Sequence, residues 1–306
     1  MNSFQSVFRS NLFEGQTIVV TGGGSGIGRC TAHELASLGA NLALVGRKIE
    51  KLETVKTEIE QTCSVKVSVH SCDIREEDKV VQTVADILKE HGHIHHLINN
   101  AGGQFPAPLS AINAKGWETV VRNNLTGGFL MAREVFNQYM VKHLGKVDMS
   151  ITNIIADMWN GMPGMGHSGA ARAGMLNFSE TASLEWAPVR VNAVAPGFIA
   201  SSGMDTYPEP MKQTIMQLDK TIPLQRLGLE AEVSGVLTFL CSPAASFISG
   251  SCIRVDGAAP NAKRVWPMVG NGQQNPPFNS FHLGGVPEVI RRRDADRAAK
   301  KNNTSN

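Results

Sequence analysis

The sequence predicts an α/β protein: a single doubly wound parallel sheet with helices on both faces. Three observations carry this. Short runs rich in Val, Ile and Leu alternate along the chain with amphipathic stretches of helical length, the pattern of repeated strand–helix–strand units. The first apolar run passes directly into a glycine-rich turn that opens a helix. Composition is that of a chain with enough apolar residues for a large core, 42% hydrophobic against 18% charged over 306 residues.

Taken in order, Thr17–Val20 reads as the first strand and Gly26–Leu38 as its helix, stopped by Gly39. Asn41–Val45 is the second strand. Lys48–Gln61 is a helix with Leu52, Val55 and Ile59 on its apolar face. Val65–His70 and Ile94–Ile98 are the third and fourth strands, separated by a helix over Glu76–His91. A long helix is predicted from Lys115 to Leu144, then a strand over Met149–Ile155 and a helix over Arg172–Trp186, stopped near Pro188. Val189–Val194 is the sixth strand. Residues 201–225 lack periodicity and read as a loop or lid over a pocket. Glu230–Leu240 and Ser251–Val255 are the last core helix and strand. No internal repeat is present. Residues 1–258 therefore read as one domain and 259–306 as a C-terminal arm. Pro, Gly and Asn mark 260–290 as an ordered arm over the surface, and the polar, basic end reads as frayed.

The formal charge of +2 is too near neutrality for a nucleic-acid binder. No apolar run suits a bilayer, the first residues lack a secretory pattern, and NNTSN is not a peroxisomal signal, so a cytoplasmic location is expected. Five cysteines, Cys30, Cys63, Cys72, Cys241 and Cys252, show no CxxC spacing and read as reduced thiols. His91, His93, His95 and His96 precede a buried strand at a spacing that does not converge on one point, and no metal is expected.

Thr21-Gly22-Gly23-Gly24-Ser25-Gly26-Ile27-Gly28 lies between a strand and a helix. Gly22, Gly24, Ser25, Gly26, Ile27 and Gly28 fit a turn whose backbone approaches a pyrophosphate, with the helix start offering free N–H groups and a positive dipole end. A Rossmann-type dinucleotide site is the reading. An acid at the end of the second strand would hold a ribose 2′-hydroxyl. Here Arg47 and Lys48 stand instead, which suits a 2′-phosphate and hence NADP(H). Asp73, followed by Ile74, lies after the third strand, where a carboxylate can accept from the adenine amino group.

With these in place the chain resembles the short-chain dehydrogenase/reductases. The resemblance rests on TGGGSGIG, Asn99-Asn100-Ala101-Gly102, Asn124-Leu125-Thr126-Gly127, Pro196-Gly197, Pro223-Leu224-Gln225-Arg226-Leu227-Gly228 and Asp256-Gly257, and spans about residues 12–258. It implies cofactor contacts at Asn100, Ala101, Gly102, Pro196, Gly197 and Ile199. NNAGGQF (99–105), KGWETVVRNNLTGGF (115–129) and HSGAARAG (167–174) are similar to the peroxisomal-type trans-2-enoyl-CoA reductases, more loosely to 2,4-dienoyl-CoA reductases, and to bacterial members associated with citronellol and citronellal. A homotetramer is implied, paired through 115–144 and 172–186, whose Phe129, Phe136, Leu176 and Leu184 leave apolar groups on more than one face.

The chain departs from the family at its catalytic set. The tyrosine position holds Ser168, the lysine position Arg172, and the usual serine falls on Ala156. Arg172 can hold ribose hydroxyls but does not act as an acid near neutrality. The resemblance to dienoyl-CoA reductases makes Asp157 a candidate acid or orienting carboxylate. His167 is the other, because imidazole titrates near working pH. Asn124 matches the family asparagine that supports a water chain or the substrate oxygen. Met158, Trp159, Met162, Met165 and Met175 line an acyl pocket or fill the core. Three functions are compatible with this set: an NADPH-dependent enoyl-CoA reductase acting on a small-molecule acyl thioester, a terpenoid alcohol/aldehyde dehydrogenase, or a cofactor-binding protein without catalysis.

Overall fold

Side chains alternate along a strand, and in β1 (Thr17–Thr21) that alternation feeds two cores. Ile18 and Val20 enter one apolar cluster and Val19 the other, so both faces of this strand are covered. The structure, a computed structural model, describes residues 3–262 and 274–304, with side chains described as far as 300.

The elements run β1, α1 (Gly26–Ser37), β2 (Asn41–Gly46), α2 (Ile49–Glu60), β3 (Val67–Ser71), α3 (Glu77–His91), β4 (His96–Asn99), α4 (Ala114–Val121), α5 (Gly127–Gln138), β5 (Ser150–Ile154) and α6 (Gly166–Glu185). They continue β6 (Arg190–Pro196), β7 (Ile199–Ala200), α7 (Glu209–Ile215), β8 (Gly228–Leu229), α8 (Glu230–Cys241), β9 (Cys252–Val255) and α9 (Glu288–Thr304). Seven strands form one sheet in the order β3-β2-β1-β4-β5-β6-β9, every neighbouring pair parallel. Helices α1, α2 and α8 supply Leu35, Leu52 and Leu237 to one face, and α3, α5 and α6 supply Val84, Met131 and Ala182 to the other. The expected doubly wound fold is thus present. Strand order reverses between β1 and β4, and the crevice above that switch point is where such sheets bind ligands.

Several elements differ from the sequence reading. The long helix predicted over 115–144 is broken into α4, a π-helical turn (Arg122–Thr126), α5 and a short 3₁₀ turn. The side chain of Asn124 explains the break: its amide donates to the Val120 carbonyl at 2.9 Å, the acceptor its own backbone N–H takes in an α-helix. Helix α6 starts at Gly166, six residues before the predicted start, so His167 and Ser168 sit in its first turn. Residues 201–225 hold α7 flanked by 3₁₀ turns. The end expected to fray is helical as α9. Part of the predicted arm, 263–273, lies outside the described residues.

The histidines before β4 serve the fold. His95 Nδ1 accepts from the Thr17 N–H at 3.1 Å, and His96 is bound by Ser150 Oγ (2.8 Å) and Gln16 (2.9 Å). Among the described residues no group of three His, Cys, Asp or Glu side chains is placed to hold a metal, and no helix is long and apolar enough to cross a membrane. All five cysteines are free thiols.

Candidate active site

The site begins at the turn between β1 and α1. Gly28 packs so closely beneath it that an added Cβ would lie 2.4 Å from both the Gly22 carbonyl oxygen and Asn100 Nδ2. Only glycine permits this crossing of turn and β4 end. Thr21 Oγ1 accepts the N–H groups of Asn100 (3.0 Å) and Ala101 (2.9 Å), and Asn100 returns its amide to the carbonyl of Thr21 at 3.0 Å. The two loops that flank the switch point are therefore fastened together. Ser25, Gly26 and Ile27 start α1 with no side-chain cap and no acid in the first turn, leaving N–H groups for an anion.

Arg47 and Lys48 follow β2 and are exposed. Asp73 is held by Arg75 through Nε (2.8 Å) and Nη2 (2.5 Å), which draws its carboxyl down to about 2; Arg47 adds to the effect. Oδ1 accepts the Arg75 N–H as well, at 3.1 Å, so Oδ2 is the oxygen that keeps a lone pair for a further donor. Ile74 is buried and fills the space beside Gly127. Arg75 escaped the sequence reading, since one arginine in a charged stretch carries no signal of its partner.

The catalytic candidates divide into two groups. Ser168 and Arg172 lie four residues apart on one face of α6. Arg172 Nη1 donates to the Ile154 carbonyl at 2.5 Å, while its Nε is buried without a partner. Burial draws this guanidinium down to about 10, still charged near neutrality. An added Cβ on Gly102 would lie 2.6 Å from Arg172 Nη2 and 2.7 Å from Asn124 Oδ1, so these three residues converge. Asn124 is fixed by the backbone of Gly103, accepting its N–H at 3.1 Å and donating to its carbonyl at 2.7 Å. Ser168 Oγ donates to Gln104 Oε1. Gln104 lies inside the segment that carried the family resemblance, yet received no role from the sequence. Its nearness to Ser168 is set by the loop after β4. His167 is fully buried beside Ser168, its Nδ1 accepting the Ser168 N–H at 2.9 Å and its ring edge-on to Phe105. Its Nε2 has no partner among the described residues.

Asp157 stands apart. Its electrostatic neighbours are Asp256 and Arg254 at the end of β9, not Arg172. Burial first, then Asp256, pushes its carboxyl upward against Arg254 and the Trp159 N–H. Its own N–H donates to the Pro196 carbonyl at 3.1 Å. Gly197 packs against Asp256, where an added Cβ would approach within 2.8 Å of the backbone, and Ile199 is buried. Met175 is a core residue packed against Gly128. Met158 and Trp159 join an apolar cluster with Ile155 and Ala195, so these three fill space in the fold.

Comparison with known proteins decides what kind of site this is. The family model described as Enoyl-(Acyl carrier protein) reductase matches residues 21–258. The chain is a short-chain dehydrogenase/reductase. Among relatives of this family, a probable 2,4-dienoyl-CoA reductase of Bacillus subtilis (strain 168) is 32% identical, the match covering 80% of this chain and 96% of that protein. A structure titled citronellol catabolism dehydrogenase, from Pseudomonas aeruginosa PAO1, is 58% identical with a TM-score of 0.75, covering 84% of this chain and all of that one. A xylitol dehydrogenase solved with bound NAD+ superposes with a TM-score of 0.72 at 28% identity, over 80% of this chain and 99% of that one. The short-chain dehydrogenase/reductases are oxidoreductases with a nicotinamide cofactor. The residues present here fit one. The uncapped start of α1 suits a pyrophosphate, and the Arg172 Nε, without a partner among the described residues, suits ribose hydroxyls.

Proposed function

We propose that this oxidoreductase uses NADPH to reduce a C=C bond conjugated to the thioester of an acyl-CoA. One observation carries the reading: the position four residues before Arg172 holds Ser168, whose hydroxyl proton is directed to Gln104, and no tyrosine accompanies it. Reducing a carbonyl to an alcohol places charge on oxygen, which then needs a ready proton. Conjugate reduction spreads the charge into an enolate, which needs hydrogen-bond donors at the thioester oxygen and tolerates slow protonation at carbon.

When bound, the cofactor supplies hydride. Arg172 holds the ribose, because its Nη2 lies beside Gly102 and its guanidinium keeps donors without a partner among the described residues. The Gln104 amide N–H₂, with its carbonyl oxygen engaged by Ser168, is free to donate to the substrate oxygen. Asn124, pinned by Gly103 and Val120, keeps the loop that carries Gln104 at a fixed height over the site. Of the two candidate proton sources, His167 lies beside Ser168, whereas Asp157 is grouped with Asp256 and Arg254. Arg47 and Lys48 favour the 2′-phosphate.

A second reading, oxidation of a terpenoid alcohol, is favoured by the 58% likeness to the citronellol catabolism dehydrogenase. One assay separates them: a medium-chain trans-2-enoyl-CoA with NADPH beside citronellol with NADP+. The enoyl-CoA is expected to be the better substrate by at least about tenfold in kcat/KM, roughly 1.4 kcal/mol of transition-state stabilisation. The reverse order sinks the enoyl-reductase reading.

A further inference from the structure

The family match ends at residue 258, and the C-terminal arm lies beyond it. Residues 274–290 run back over the edge of the α1–α8 layer. Phe281 packs with Phe4, Cys30 and Ala231, the Arg29 guanidinium lies 5.4 Å over its ring, and Gln5 N–H donates to the Ser280 carbonyl at 3.3 Å. Past Phe281, Gly285–Pro287 and Arg291 form one wall of a cavity of about 490 Å³. The same cavity is lined by Gly24–Gly26, Lys51 and the 3₁₀ turn at Ser202.

The charges in this cavity are unequal in availability. Glu58 is held by Arg29 (2.7 and 2.9 Å) and by His33 (3.0 Å). Asp205 accepts the N–H groups of Glu288 and Val289, both at 3.0 Å, and so caps α9. Glu230 is driven toward its neutral form by burial. Lys51 and Arg291 have no side-chain partner among the described residues. Two cations unpaired among the described residues thus line one cavity together with the uncapped start of α1, an arrangement that asks for an anion.

We propose that the C-terminal arm completes the dinucleotide site, with Arg291 and Lys51 binding a phosphate of the cofactor held on the Ser25–Ile27 turn. This rests on the nicotinamide-dinucleotide reading of that turn. The arm is not free to drift from this position. Val289 and Ile290 join Met204, Ile215, Met216 and Ile222 in one apolar cluster. Arg292 pairs with Glu209 at 2.6 Å, and Arg297 grips Asp219 at 2.5 and 3.0 Å. Helix α9 is therefore fastened along the 202–221 segment, and the phosphate wall moves only with that segment.

The test is a binding titration, read by tryptophan fluorescence or calorimetry without turnover, of NADPH and of NADH. Arg291 is exposed, so Arg291→Ala is expected to keep the wild-type melting midpoint while losing about tenfold in NADPH affinity. Arg291→Lys is expected to recover part of the loss. An equal loss for NADH assigns the contact to the pyrophosphate, and a larger loss for NADPH to the 2′-phosphate. The double variant Arg293→Gln/Arg297→Gln, which releases α9 from Asp219, is expected to weaken NADPH binding as well. Unchanged affinity in Arg291→Ala overturns the proposal while leaving the cofactor reading intact. A wild-type protein that binds neither dinucleotide overturns both.

Discussion

Arg172 carries the clearest test at the residue scale. It stands where most of the family has lysine, half-buried and without a carboxylate partner among the described residues, so its proposed work is to hold the cofactor. Arg172→Lys is expected to keep appreciable activity with an unchanged pH profile. Arg172→Ala is expected to raise KM for NADPH, since the Ile154 carbonyl and the ribose both lose their donor. Loss of a titrating group in Arg172→Lys contradicts the assignment. Cofactor preference is a second test: Arg47→Ala should cost about 1.5–3 kcal/mol in NADPH binding, tenfold or more, and little for NADH. Equal wild-type affinities for the two dinucleotides refute it. Glu230 offers a third. Its carboxyl lies beside Gly26, 3.7 Å from where a Cβ would sit, and burial pushes it up to about 7 against the pull of Arg29. A bound phosphate disfavours its ionised form, so dinucleotide affinity should fall as pH rises from 6 to 8. Glu230→Gln should remove that slope. NADH is the cleaner probe, because the 2′-phosphate of NADPH itself titrates in this range.

At the scale of elements, the break in the predicted long helix is part of the site. The π turn brings the Asn124 amide to the Gly103 backbone, and this fixes the loop bearing Gln104. Gln104→Ala is expected to lower kcat with little change in NADPH affinity, because Gln104 faces Ser168 and not the glycine turn. Equal losses in NADPH affinity and kcat would place Gln104 in the cofactor pocket instead. Ser168 and Arg172 were legible as candidates because the resemblance sets them at the family's tyrosine and lysine positions, and His167 because its imidazole lies beside Ser168. That the helix starts at Gly166, burying His167 completely, was not legible: glycine at a helix start is a weak signal, and the Phe105 ring that covers His167 comes from a distant loop.

At the scale of the whole molecule, stability against pH and the state of assembly can both be measured. His91 and His95 are drawn down to about 4 by burial, and the fully enclosed His96 lies well below its ordinary value. A histidine kept neutral in the fold contributes fully above pH 6.5. Its contribution is lost as pH falls toward 4, where the unfolded chain takes up protons and the folded chain does not. The raised carboxyls of Glu34 and Glu230 act in the opposite sense, so the histidine share is read by difference. His95→Asn keeps an acceptor for Thr17 N–H but cannot charge. Urea unfolding should show it losing roughly 3 kcal/mol less stability than wild type between pH 6.5 and 4. We also propose that the protein assembles as a homotetramer. Leu184 on α6 is 81% exposed, and Phe136 stacked on Trp186 extends the apolar surface beside it. Light scattering should give about four times 32.9 kDa, and Leu184→Arg a smaller species. A wild-type monomer at micromolar concentration refutes this.

The sequence by itself determined the sheet, the glycine turn and the positions of Arg47, Asp73, Ser168 and Arg172, because strand alternation, helix period and turn chemistry are written within a few residues of each other. Tertiary structure alone decided which of those side chains meet. It set Asp157 beside Asp256, away from Arg172, and joined Ser168 to Gln104 across 64 residues of chain. It also turned a polar tail into α9. That helix has few apolar residues and reads as frayed in isolation. It is ordered by Asp205 at its N-terminus and by Asp219 and Glu209 along its side, groups that lie some eighty residues earlier and become neighbours only when the chain has folded.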